Sequence, residues 1–155
     1  MGMIPATRSF HELPTAFHIK RSRDASQIVY KINERNGKLD QDDPIEAFWV
    51  RYKTDGRVEP ITYIQKEFSY GLKFSHIAPE EASFHIAAYD EQELFLRKKC
   101  DEYRVYTFID GTLMELDYIY VHFEGGTDWL PTVKYAKLYT HDLATNEPMT
   151  TTILP

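Results

Sequence analysis

Apolar and polar residues along this chain alternate mostly with a period of two, and one stretch departs from that rule in an informative way. In Pro44–Gly71, Ile45, Ala47 and Trp49 alternate with Phe48, Val50 and Tyr52, so both faces are apolar and only Glu46 and Arg51 interrupt them. Such a strand is buried on two sides and needs a cover on its outer face. Lys53 to Arg57 reads as a turn with Asp55-Gly56 at its tip, and Glu59-Pro60 places proline where the first turn of a helix tolerates it. Ile61, Ile64, Gln65 and Phe68 then recur at helical spacing, with Gly71 where a left-handed C-cap belongs. The pattern predicts a helix near 60–70 lying on the outer face of the Trp49 strand.

The rest of the chain is read the same way. Residues 1–13 lack a period and are expected to form a flexible N-terminal arm, with a single β domain over 14–155. Phe17 and Ile19, then Ile28, Tyr30 and Ile32, predict a hairpin around the polar turn Arg21–Ser26. Asn33–Asp43, with Asn36-Gly37, reads as a loop. Leu72, Phe74 and His76 turn at Pro79 into Phe84, Ile86 and Ala88. Asp90–Cys100 fits a capped helix or a strand, and the surrounding β pattern favours strand. Val105–Ile109, Asp110-Gly111 and a long strand Leu113–Phe123 carry the strongest hairpin signal. Gly125–Trp129 forms a loop, Val133–Tyr139 the next strand, and Asp142–Asn146 turns into a last strand ending at Leu154. About nine strands result, in an antiparallel barrel or sandwich with one short helix packed outside.

Composition narrows the class without naming a function. A chain of 155 residues can bury a full core without disulfides or metal, and 11 Tyr and 9 Phe against 7 Gly favour strands. The net charge of −6 argues against nucleic acid and anionic membrane as partners. A single cysteine, Cys100, excludes an intrachain disulfide framework. No apolar run reaches the length of a membrane span, and no signal-peptide layout opens the chain. The expectation is a cytoplasmic protein, or an exported one if a signal has been removed.

Several local patterns together resemble an uncharacterised bacterial family, domain of unknown function 4833. They are Phe17-His18-Ile19-Lys20-Arg21-Ser22, Gly37-Lys38-Leu39-Asp40 followed by Pro44 and the Trp49 strand, and Glu59-Pro60 leading to Tyr70-Gly71. The resemblance runs from about Thr15 to the C-terminus and implies a compact bacterial β domain. It brings no activity, cofactor or catalytic residue with it.

Six histidines (11, 18, 76, 85, 122 and 141) include no His-x-His and no His-Glu-x-x-His, so no metal ligands and no cofactor are assigned, although His76 and His85 could meet across their hairpin near His122. Neither a nucleophile elbow nor a phosphate-binding glycine loop is present. Glu115 and Asp117, two apart on the long strand, share a face where a glycosidase or lyase could use them as acid and base; a solvated strand face is the plainer reading. A cationic and aromatic group, Arg21, Trp49, Arg51, Tyr70 and Lys73, suits recognition of a carboxylate against an apolar wall. Against that, Arg51 need only find an internal carboxylate or reach past the strand end. The sequence therefore favours a non-catalytic binding module for a small amphipathic or acidic ligand. A protein-interaction module, with a homodimer possible through a sheet edge, and a hydrolase or lyase using acidic and histidine residues are the alternatives.

Overall fold

The computed structural model describes residues 10–127 and 131–155. Strands β1 (Thr15–Arg21), β2 (Gln27–Ile32), β3 (Glu34–Arg35), β4 (Lys38–Leu39), β5 (Ile45–Arg51) and β6 (Arg57–Pro60) precede the short helix α1 (Tyr63–Phe68). After it come β7 (Leu72–Ile77), β8 (Glu81–Ile86), β9 (Tyr89–Lys99), β10 (Glu102–Ile109), β11 (Thr112–Gly126), β12 (Pro131–Asp142) and β13 (Pro148–Ile153). Eleven strands form one curled sheet in the order β6-β5-β2-β1-β11-β10-β9-β8-β7, with β12 on the other side of β11 and β13 beyond it. The fold is mainly β and partly barrel-like. It has more strands than expected because Arg57–Pro60 pairs with β5 instead of opening the helix, and because Asn33–Asp43 holds the hairpin β3–β4. Asn36 and Gly37 both take positive φ there, as a tight two-residue hairpin turn requires.

The long strand β11 organises the sheet. One of its edges is shared: Thr112–Glu115 pairs antiparallel with β10, and Ile119–Val121 pairs with β1. The second pairing is parallel, a departure from the all-antiparallel expectation. At fifteen residues β11 is long enough for its two halves to serve both neighbours, which curls the sheet around the core. That core is aromatic: Phe17 stacks on Tyr30 at 4.2 Å and on Phe84 at 6.4 Å, all three within 1% of full burial. The Tyr30 hydroxyl donates to the Tyr70 carbonyl at 2.5 Å, so its burial leaves no unpaired group.

The Trp49 strand is buried on both faces as expected, with Trp49 6% and Val50 3% exposed, yet the cover is not the predicted one. Phe10–Glu12 forms a 3-10 turn, Phe10 packs edge-on against Phe48 at 5.3 Å, Leu13 is buried, and Lys31 Nζ donates to Leu13 O at 3.2 Å beneath the Phe10 ring. Residues 1–9 of the expected arm lie outside those described. Helix α1 buries none of its residues; Ile64 and Phe68, its intended core stripe, are 60% and 72% exposed. It starts at Thr62, not Pro60, because Thr62 and Gln65 form a reciprocal capping box.

Asp43, at the mouth of β5, has its carboxyl pushed up to about 6, first by burial, then by the neighbouring Glu46 and Asp40, with Lys66 opposing. A carboxyl raised in the folded state stabilises the fold below the unfolded value near 4 and loses that contribution as pH rises to about 6. Asp43→Asn is expected to raise stability at pH 7 by about 1 kcal/mol, the full shift being discounted for partial exposure. It should also flatten the decline between about pH 4 and 6. Urea unfolding of both proteins at pH 4 and pH 7 checks this, and an equal difference at the two pH values would refute it.

Candidate active site

Glu115 and Asp117 lie on the outer face of β11, and His141 faces them from β12, where it is the register partner of Glu115. The ladder breaks between Leu116 and Tyr118, placing an extra residue in β11 at Asp117. Such a bulge keeps Asp117 on the outer face and turns it towards the neighbouring strand. Asp117 Oδ1 and Oδ2 lie 2.9 and 3.1 Å from His141 Nδ1. His141 Nε2 lies 3.6 Å from Glu115 Oε2. From β10, Arg104 donates through Nη1 to Glu115 Oε2 at 3.3 Å and through Nη2 to Glu102 Oε2 at 2.7 Å.

These groups line an open cleft of about 470 Å³ together with Lys99 at the end of β9 and Cys100 from the turn that follows it. Glu115 is the most enclosed of the three, its side chain 13% exposed against 22% for His141 and 43% for Asp117. The Glu115 carboxylate, followed by that of Glu102, pushes the Arg104 guanidinium above its ordinary value, so the cation is permanent.

The arrangement has definite chemical capacities. A carboxylate on Nδ1 fixes the imidazole tautomer and leaves Nε2 as a base. At 3.6 Å, Nε2 and Glu115 are too far apart for a direct hydrogen bond, so a proton-bearing group can enter between them. Among the described residues these three are also the one group of histidine, cysteine or carboxylate side chains close enough to hold a metal, their ligand atoms within 4.8 Å of one another. The two carboxylates address different ring nitrogens, however, so a shared cation would require side-chain rotation.

Four of the five binding residues expected from the sequence also converge. The Arg21 guanidinium lies 4.3 Å and that of Arg51 4.7 Å from the Trp49 ring, and Tyr70 packs on the same ring at 6.1 Å. Arg21 is 8% exposed and pairs with Asp24 at 2.9 Å, while its buried Nε has no partner. Arg51 reaches Glu59 at 3.4 Å, an internal carboxylate. Lys73 points elsewhere and pairs with Glu67 at 3.0 Å. Burial raises the Tyr70 hydroxyl, with Arg21 opposing, and pushes Tyr89 up to about 12. The histidines of the β7–β8 hairpin do not gather: His85 is opposite Lys73, His76 is opposite Ser83, and His122 stacks on Tyr135 at 4.8 Å. Between Ile86, Tyr89, Leu94, Ile119 and Leu138 an interior cavity holds about 10 Å³, room for one water rather than a core ligand.

The profile of a family described as Domain of unknown function (DUF4833) matches residues 17–151. The chain belongs to that family. The match takes in every side chain of the cleft and of the Trp49 cluster in this DUF4833 domain. No curated protein and no solved structure matches the domain. No helix among its described residues is long and apolar enough to cross a membrane.

Sequence reasoning identified Glu115 and Asp117 as a pair and offered His141 only as one of six histidines that an acid–base enzyme could use, and it did not single out Arg104. The missing signal was the pairing of β11 with its two neighbours.

Proposed function

We propose that this DUF4833 domain is a hydrolase or lyase that works by acid–base catalysis in the β10–β11–β12 cleft. The observation that carries the reading is the convergence of Glu115, Asp117 and His141 on an open cleft, with Arg104 fixing Glu115. In this reading His141 Nε2 is the catalytic base, taking a proton from water or from a substrate C–H. Asp117 is a positioning residue acting through Nδ1, and the proton passes on to the leaving group. Glu115, held in place by Arg104, faces the imidazolium and orients the incoming group. The exposed ends of Arg104 and Lys99 suit a polar substrate with hydrogen-bond acceptors. Purified domain assayed against ester, phosphoester, glycoside and uronide substrates is expected to turn over one class, with loss of that turnover in His141→Gln. Turnover unchanged in that variant, or absent for every class, would sink the proposal.

A second reading, favoured by the unpartnered Nε of Arg21, is that Arg21 and Arg51 take a small carboxylate beside Trp49. Titration of a Trp129→Phe variant with small carboxylates is then expected to change Trp49 emission saturably, and to do so no longer after Arg21→Gln. A flat titration excludes it.

A further inference from the structure

The main sheet has three edges, and two of them are protected in ways familiar from natural sheets. Strand β6 is four residues long, carries Arg57 and Glu59 and ends on Pro60. Strand β7 carries Lys73 and His76, and its ladder is broken by a register shift between Phe74 and His76. Short length, charge, proline and bulges all discourage pairing with another chain. Strand β13 lacks these devices along its run. Its six residues, Pro148-Met149-Thr150-Thr151-Thr152-Ile153, carry no charge, pair with β12 in unbroken register, and have proline only at the first position.

The free edge is set up to bond. Asp142 N donates to Glu147 O at 2.9 Å, making that pair a hydrogen-bonded one. Counting along the register, Thr150 and Thr152 fall in the alternate pairs, whose N–H and C=O groups point away from β12. Both threonines are exposed, as is Met149, 40% open on the core-facing side of the sheet beyond Thr140. Among the described residues β13 pairs with β12 alone.

We infer that β13 is a self-association edge: two copies of this chain pair their β13 strands antiparallel about a two-fold axis, extending the sheet across the dimer. Self-pairing suits this edge better than an unrelated strand for two reasons. An uncharged threonine run has nothing with which to select a charged peptide, and threonine opposite threonine is a favourable cross-strand pair. The ends of the edge are also opposite in charge. Asp142 and Glu147 mark one end, while Lys137 on β12, the register partner of Thr152, lies towards the other, so antiparallel pairing brings acid to base. An axis at Thr151 sets Thr150 of each copy against Thr152 of the other and lets the two Met149 side chains cover the seam. An isologous contact of this kind closes at two copies, which is how an open edge escapes unlimited growth.

The test is sedimentation velocity of the full chain over a concentration series, with hydrogen exchange read at the same concentrations. An edge contact alone is smaller than a standard interface, so a dissociation constant on the order of tens of micromolar is expected. The Thr150 and Thr152 amides should gain protection as the dimer fills. Thr150→Pro, which removes an outward N–H, should remain monomeric with unchanged circular dichroism. A chain that stays monomeric throughout the series overturns the inference. So does a dimer in which the Thr150 and Thr152 amides exchange freely. That second readout uses the wild-type chain, so it decides the matter even if the proline variant fails to fold.

Discussion

Gly71→Ala is expected to cost about 3 kcal/mol, near the upper end of the range for overpacking, and to lower the midpoint of thermal unfolding by roughly 6–12 °C. A Cβ at Gly71 would lie 1.7 Å from Lys66 O and 2.5 Å from Lys66 C, both backbone atoms of α1. No rotamer relieves such a contact, so backbone must move. Gly71 cannot yield easily: its carbonyl accepts from Ala87 N at 2.8 Å, and Ser69 O accepts from Ala88 N at 3.1 Å, which ties the segment to β8. The Tyr30 hydroxyl holds the adjoining Tyr70 carbonyl. Helix α1 is the part that gives, because it buries no side chain and depends on its capping box and on Gln65 O accepting from Ser69 and Tyr70. Gly56→Ala is the informative control. Gly56 has φ +75° with nothing within 4 Å of its would-be Cβ, so only backbone strain of about 1 kcal/mol applies. Equal losses in the two variants would show that close approach to Lys66 is not what requires glycine at position 71.

That glycine illustrates how sequence reasoning can name the right residue for the wrong reason. A glycine after a helical stripe reads as a left-handed C-cap, whereas φ at Gly71 is not in the left-handed region and the requirement is space. The stripe itself misled in the same way. Ile64 and Phe68 have helical spacing, and a helix does form, but their periodicity carries no information about which element they face. The double burial of Trp49 and Val50 was legible because a strand apolar on both sides must be covered whatever covers it. The identity of the cover was not, because Phe10 and Leu13 sit in an aperiodic segment. The parallel β1–β11 pair was hidden for a different reason: it joins segments about a hundred residues apart, and no turn signal reports on such a contact.

The cleft was closer to legible than it first appears. Glu115 and Asp117 share a face by period-two reasoning, and the last register pair of β11 with β12 before their turn is Gly126 with Pro131. Their ladder carries three register shifts, an extra residue in β11 at Asp117, one in β12 at Lys134 and a second in β11 between Phe123 and Gly126, and these do not cancel. A straight count back from the Gly126–Pro131 pair therefore places Asp142 opposite Glu115, one residue past the true partner His141. What no count supplies is that the Asp117 bulge directs its carboxylate at Nδ1, or that Arg104, one strand to the other side, reaches Glu115. By contrast, the Trp49 group could be proposed from residue types alone, because a cation on a doubly apolar strand has few places to go.

In the catalytic reading the histidine and the aspartate should fail differently. His141→Gln keeps a polar side chain of similar reach but cannot accept and release a proton, so kcat is expected to fall about a thousandfold, the usual worth of a positioned general base. Asp117→Asn leaves the base present and removes the group that fixes its tautomer and offsets the imidazolium charge. The asparagine amide can donate to Nδ1 and favour the opposite tautomer, so kcat should fall by about ten- to a hundredfold with KM little changed. Arg104→Gln acts on Glu115 and on the substrate's polar end, so it should raise KM more than it lowers kcat. Because the three side chains act as one unit, the double variant His141→Gln/Asp117→Asn should be hardly worse than His141→Gln alone. Independent roles would instead make the losses multiply. That outcome would show that Asp117 does not act through His141 and leave Glu115, on the other ring nitrogen, as the carboxylate that tunes the base.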